Sequence, residues 1–136
     1  MRMTEGGTMD DRVNDALSHW TSAMEEELVV RDFLSNLGNR DATQLEPFLS
    51  TDVVYEPSAR SRVRGRQNVV RMCQDIFDGF ETYAITPMNV AVSGRVVLVE
   101  QTLQLGLEGM PVYTLLSFAS FEIIDFQIVA WRQLHG

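Results

Sequence analysis

The densest run of side chains able to do chemistry is Arg60-Ser-Arg62-Val-Arg64-Gly-Arg66, with a guanidinium at every second position. It reads in two ways. The simpler is a solvated loop leading into a helix. The other is a clamp for an anionic group on a ligand, because guanidinium pairs bidentately with carboxylate and phosphate. No aromatics are interleaved, so the run lacks the stacking platform of a single-strand nucleic-acid site. The net charge of −8 repels phosphate backbones as well, so nucleic acid is not an expected partner. His19 lies between Leu17 and Trp20 and reads as a packed helix residue, while His135, one residue from the end, is expected to fray. Two histidines so far apart, with no acidic partner at ligand spacing, give no metal site. The single Cys73 excludes an internal disulfide and a multi-thiolate cluster. Beside Met72 on a helical face, it reads as buried and inert. No glycine-rich phosphate loop and no serine nucleophile elbow are present, and no cofactor is expected.

The elements that must position these groups follow from periodicity. At 136 residues the chain fits one domain, and 45 % hydrophobic with 22 % charged residues places it among ordinary globular proteins. Residues 1–8 read as a loose tail and 9–136 as the domain. No apolar run approaches the ~20 residues that span a bilayer, so no membrane association is expected. The start shows no apolar signal region, so a cytoplasmic location is expected. Asp10 and Asp11 offer N-caps for a helical stretch, in one piece or two, with Val13, Leu17, Trp20 and Met24 on one face. The pattern resumes at Leu28 and stops at Gly38-Asn39, which allows a left-handed cap. A short helix follows from Asp41. Asp52 to Glu56 reads as a strand ended by Pro57, and Gly65 to Gly79 as an amphipathic helix. Four strands then follow: Thr82–Val92 with Pro87 at an edge or bulge, Arg95–Leu107, Met110–Ile123 and Gln127–Leu134. Helices first and an antiparallel meander last indicate α+β packing, with helices on one side of the sheet.

This order, with Asp52-Val-Val-Tyr-Glu-Pro57, Arg64-Gly-Arg66, Gly94-Arg-Val-Val-Leu-Val-Glu100, Phe121-Glu-Ile and Ile128-Val-Ala-Trp-Arg132, resembles the nuclear transport factor 2-like, SnoaL-like superfamily of cone-shaped α+β barrels. The resemblance covers roughly residues 25 to 136. It implies a curved, mostly antiparallel sheet forming a half-barrel packed with helices. It also implies kinship with ketosteroid isomerase, polyketide cyclases and limonene-1,2-epoxide hydrolase. The epoxide hydrolase carries catalysis on an Arg and two Asp; their places are held here by Gln101, Leu103 and Gln133, none of which exchanges a proton near neutral pH. Epoxide opening by that acid pair is therefore not expected. Its water-holding Tyr matches Tyr55. In the isomerase, the proton-shuttling Asp precedes a Pro, and Glu56 before Pro57 stands in that place. A carboxylate there abstracts a proton next to a carbonyl if an apolar wall raises its pKa. Tyr55 and Glu56 are the candidate catalytic residues, although alternation points them to opposite faces.

The same alternation gives a ligand-site expectation. If Gln101 faces in, so do Val97, Val99, Leu103 and Leu105; if Gln133 does, so do Val129, Trp131 and His135; Leu115, Ser117, Ala119 and Phe121 share a face. Gln101, Leu103, Ser117, Ala119, Trp131 and Gln133 would line an apolar pocket with a few orienting polar groups. The two Gln read equally as a structural pair bonded to each other or to a buried water. Three functions stay open: a small-molecule isomerase, cyclase or hydrolase; a non-catalytic binder of an apolar ligand; and a dimeric assembly module. A homodimer through the convex face, with Thr102, Gln104, Phe118 and Ser120 on it, is what the resemblance implies.

Overall fold

The computed structural model describes residues 9–135; the expected tail 1–8 and residue 136 lie outside them. The elements are α1 (Met9–Leu37), a 3-10 helix (Ala42–Phe48), β1 (Leu49–Ser58), β2 (Ser61–Arg64), α2 (Arg66–Gly79), β3 (Thr82–Ser93), β4 (Val96–Gly106), β5 (Tyr113–Ile124) and β6 (Gln127–His135). The strands form one curved, unclosed sheet in the order β2-β1-β6-β5-β4-β3. All pairings are antiparallel except that of β1 with β6. The result is the expected cone-shaped α+β half-barrel.

Local chemistry explains where the elements begin and end. No Gly or Pro lies between Met9 and Leu37, so α1 is one helix rather than two pieces. The positive φ that stops it falls on Arg40, at 57°, and not on Gly38. The Arg40 guanidinium bonds the carbonyls of Phe77, Phe80 and Glu81, which ties the end of α2 to the end of α1. A cation there also complements the negative pole of α2. Asp41 caps the 3-10 helix, accepting from Thr43 N. Pro57 does not end β1. The strand runs on to Ser58, with a register shift between Tyr55 and Ser58 where the missing N–H is tolerated. The arginine run is not a loop: Ser61–Arg64 is β2, hairpinned onto β1. Gly65, at φ 93°, donates to Val53 O and turns the chain into α2. Pro87 does both things expected of it, since β3 is the sheet edge and its register shifts between Pro87 and Asn89.

The core joins the last turns of α1, the inner face of α2 and the concave face of the sheet. Val30, Phe33, Leu34 and Leu37 of α1 are buried there with Val69, Cys73 and Phe77 of α2. Burying one such side chain stabilises by roughly 1.5–3 kcal/mol. The first half of α1 takes no part. Val13, Leu17, Trp20 and Met24 share a face as expected but lie exposed, and His19 is exposed rather than packed. No helix among the described residues is long and apolar enough to cross a membrane.

Candidate functional site

The concave face is built of cross-strand rows. Pairing sets Val97, Phe121, Trp131 and Tyr55 in one row, Val99, Ala119 and Gln133 in the next, then Gln101, Ser117 and His135, then Leu103 and Leu115 towards the open end of the cone. The inward parity on β4 is as expected. On β6 it breaks: Ile123 pairs with Ile128 but Glu122 with Ala130, so Val129 is a bulge residue, and Ile128 is buried in its place.

The deep row is aromatic. The Trp131 ring stacks on Tyr55 with centroids 3.9 Å apart and meets Phe33 edge-on at 5.0 Å. This packing fixes the Tyr55 ring, whose hydroxyl donates to Gln133 Oε1 at 2.8 Å. Burial holds the Tyr55 phenol well above its ordinary pKa and pushes Tyr83 up to about 12, the latter offset in part by the Gln133 amide. Both phenols are therefore protonated, hydrogen-bond-donating groups at neutral pH.

The only buried polar residues among the described ones are Gln101, Ser117 and Gln133, and they occupy two adjacent rows. Gln101 Nε2 donates to Ser117 Oγ at 3.3 Å, and Ser117 Oγ lies 3.0 Å from His135 Nδ1. The His135 ring also bonds the backbone of Pro57, while partial burial lowers its pKa. Gln101 and Gln133 are thus not a mutual amide pair: each bonds a different hydroxyl. Three buried atoms in this region have no hydrogen-bond partner: Gln101 Oε1, Gln133 Nε2 and Trp131 Nε1. A buried polar atom left unpaired costs about 1–3 kcal/mol. At the open end, an apolar recess of about 220 Å³ is lined by Phe80, Leu105, Met110, Pro111 and Leu115, among others.

Of the residues singled out from sequence, Tyr55, Gln101, Leu103, Ser117, Ala119, Trp131 and Gln133 are all buried on the concave side. Glu56 is not with them. It turns to the outer face, where Arg132 Nε bonds Oε1 at 2.8 Å and Arg62 bonds Oε2 at 3.0 Å. The Arg62 bond, joined by the Arg132 bond and the charges of both guanidiniums, holds its carboxyl below the usual range despite the opposing desolvation. That is the reverse of the raised pKa that base catalysis by Glu56 requires. Arg62 is occupied by this pair, and Arg66 bonds Thr51, so these two arginines of the run hold the surface together. The residue that sequence reasoning passed over is His135, which is ordered in β6 and bonded on two sides. Its parity with Trp131 and Gln133 was the available signal; its register against Ser117 was not.

The same architecture recurs in known proteins. The family model of the SnoaL-like domain matches residues 30–131. No curated protein matches the chain. Among solved structures, an M. tuberculosis LEH-like epoxide hydrolase is 26 % identical over 84 % of each chain, with a TM-score of 0.74. A SnoaL-like polyketide cyclase from Jannaschia sp. CCS1 is 16 % identical over 83 % of this chain and 86 % of its own, with a TM-score of 0.73. The epoxide hydrolase/cyclase-like enzyme SalBIII, of pyran ring formation in salinomycin, is 12 % identical over 83 % and 92 %, with a TM-score of 0.75.

Proposed function

The chain belongs to the SnoaL-like domain family, and from that premise we propose that its cone interior takes up and transforms a small, mainly apolar molecule carrying an oxygen function. It acts as an isomerase, cyclase or hydrolase. The observation that carries this reading is the cluster of unpaired polar atoms, Gln101 Oε1, Gln133 Nε2 and Trp131 Nε1, set in an otherwise apolar and aromatic interior. Two are N–H donors and one is an amide oxygen, and a few such polar groups among apolar walls are how an apolar site orients a ligand oxygen. Opening of an epoxide by a buried acid pair is not part of the reading, because Gln101, Leu103 and Gln133 supply no exchangeable proton.

The test is a thermal-shift screen of apolar ketones, lactones and epoxides, with product analysis of any compound that binds. At least one class should raise the melting temperature of the protein and not that of Gln133→Leu. A flat response to every class, with Gln133→Leu indistinguishable from the parent, sinks the reading. One observation favours a second reading, a binder without turnover: no carboxylate is buried among the described residues of the concave face. A bound compound that is recovered unchanged supports it. In either reading the unit is a homodimer through the outer sheet face, where Leu98, Leu116, Phe118 and Leu134 are exposed.

A further inference from the structure

We propose that Ser117 and His135 form a proton relay from the cone interior to solvent, with Ser117 as the catalytic residue and His135 as the positioned acceptor acting through it. The proposal rests on the interior-site reading and supplies the proton chemistry that the missing carboxylates leave open.

The direction of each bond is fixed by what the partners can donate. Gln101 Nε2 is a donor only, so Ser117 Oγ accepts there. The Ser117 proton is left to point at His135 Nδ1, 3.0 Å away. Pro57 has no N–H, so its backbone bond to His135 runs from a ring N–H to the Pro57 carbonyl. The relay uses the tautomer in which the other ring nitrogen carries the proton, leaving Nδ1 to accept from Ser117. A hydroxyl, an imidazole within hydrogen-bond reach and a third group orienting the imidazole is the arrangement that activates a weak oxygen acid. Gln101 adds a donor that stabilises the oxygen as its proton leaves.

Burial gives the relay two ends. Ser117 is fully buried, whereas His135 reaches solvent at the end of β6. Leu115, the inward residue next to Ser117 on β5, lines the apolar recess at the cone's mouth, so a ligand in that recess lies one row from the hydroxyl. The substrate class that fits is a small apolar carbonyl compound with an acidic C–H. The C–H pair becomes the double bond of an enolate. Its proton passes to Ser117 Oγ as the hydroxyl proton passes to His135 Nδ1, and the imidazolium exchanges with water. Return of the proton to another carbon completes an isomerisation.

The groups around His135 leave the titration to the imidazole. Gln101 on β4, Ser117 on β5 and the Pro57 carbonyl on β1 are uncharged, no charged neighbour contributes to its shift, and the interior Tyr55 and Tyr83 phenols stay protonated. The experiment uses 5-nitrobenzisoxazole, a small apolar probe whose C–H loss forms a nitrile, breaks the N–O bond and releases a coloured phenolate. Binding is measured separately by chemical-shift perturbation. The protein should turn the probe over with a rate that rises with pH through one ionisation below the ordinary imidazole value of 6.5, then levels off. Ser117→Ala and His135→Gln should each lower kcat at least about tenfold, with KM little changed, since general base catalysis contributes about 10²–10⁴-fold. His135→Gln should also abolish the pH step, which a merely structural loss would leave in place. Probe binding with a pH step intact in His135→Gln, or with full kcat in Ser117→Ala, overturns the relay and leaves the interior site standing. No binding in the cone at all overturns both.

Discussion

Replacing Gln101 by Met should stabilise the protein while removing its response to ligand. Gln101 is fully buried, its Oε1 has no partner, and its one bond, to Ser117 Oγ, is long at 3.3 Å. An unpaired buried acceptor costs about 1–3 kcal/mol, whereas a neutral hydrogen bond returns only about 0.5–1.5 kcal/mol net. Met has nearly the same volume, so neither a cavity nor overpacking enters. Ser117 keeps its bond to His135, so no second orphan forms. The net expectation is a gain of about 1 kcal/mol, read as a higher urea midpoint at unchanged slope. In a melt, it is a rise of about 3–5 °C for a chain of this length. A thermal-shift ligand found with the parent should no longer raise the melting temperature of the variant. That combination marks a residue kept for function at the expense of stability. Destabilisation by more than about 1 kcal/mol would refute the reasoning, because it means that an ordered water satisfies Oε1 and the amide is structural.

Tyr55→Phe keeps the stack on Trp131 but orphans Gln133 Oε1, so it should destabilise by about 1–3 kcal/mol in urea unfolding, a cost relieved in the double variant with Gln133→Leu. Phe33→Ala opens the contact with Phe48, Phe121 and Trp131 and should cost about 3–5 kcal/mol by the same measurement. Glu56 has a folded pKa below 4.5, so its stabilisation is fully present above that value and is lost as pH falls through the folded pKa. The stability difference between the protein and Glu56→Gln should therefore be present at neutral pH and vanish in acid. Cys73 is buried with its thiol pushed up to about 12, so a thiol reagent at pH 8 should react only as fast as the fold opens, and at once in denaturant. Phe118→Asp on the outer face should shift the protein from dimer to monomer by light scattering; a parent that is already monomeric contradicts the proposed interface.

Much of the fold was legible because it rests on local patterns. The alternation from Val99 to Leu105 indicates a strand with one inward face, and Val99, Gln101 and Leu103 are buried on it. The helical period and the absence of Gly or Pro give α1, and the Pro87 edge follows from a missing donor. The errors fall where a distant contact overrides a local signal. Ser61–Arg64 reads as a solvated loop; it is largely exposed, yet it pairs with β1 as β2, and Arg62 meets Glu56 across that pair. Val13, Leu17, Trp20 and Met24 share one helical face as their spacing requires, yet that face is exposed, because only the later turns of the helix are buried in the core. Val129 was assigned inward by parity, and a single bulge reverses it.

The candidate site divides the same way. Residue order alone determined that the concave face would be apolar with Gln101, Ser117 and Gln133 inside it, and that no buried acid pair would stand where the epoxide hydrolases have theirs. It also determined that Tyr55 and Glu56 would face opposite sides, since side chains alternate along a strand. Which of the two faces in, the bonding of each Gln to a separate hydroxyl, and the meeting of Ser117 with His135 were decided only by the tertiary structure. Those contacts depend on cross-strand register between β1, β4, β5 and β6, over separations of 16 to 78 residues, as in Gln101–Ser117 and Tyr55–Gln133. No local spacing encodes such a register; it is set when the whole sheet packs against the helices.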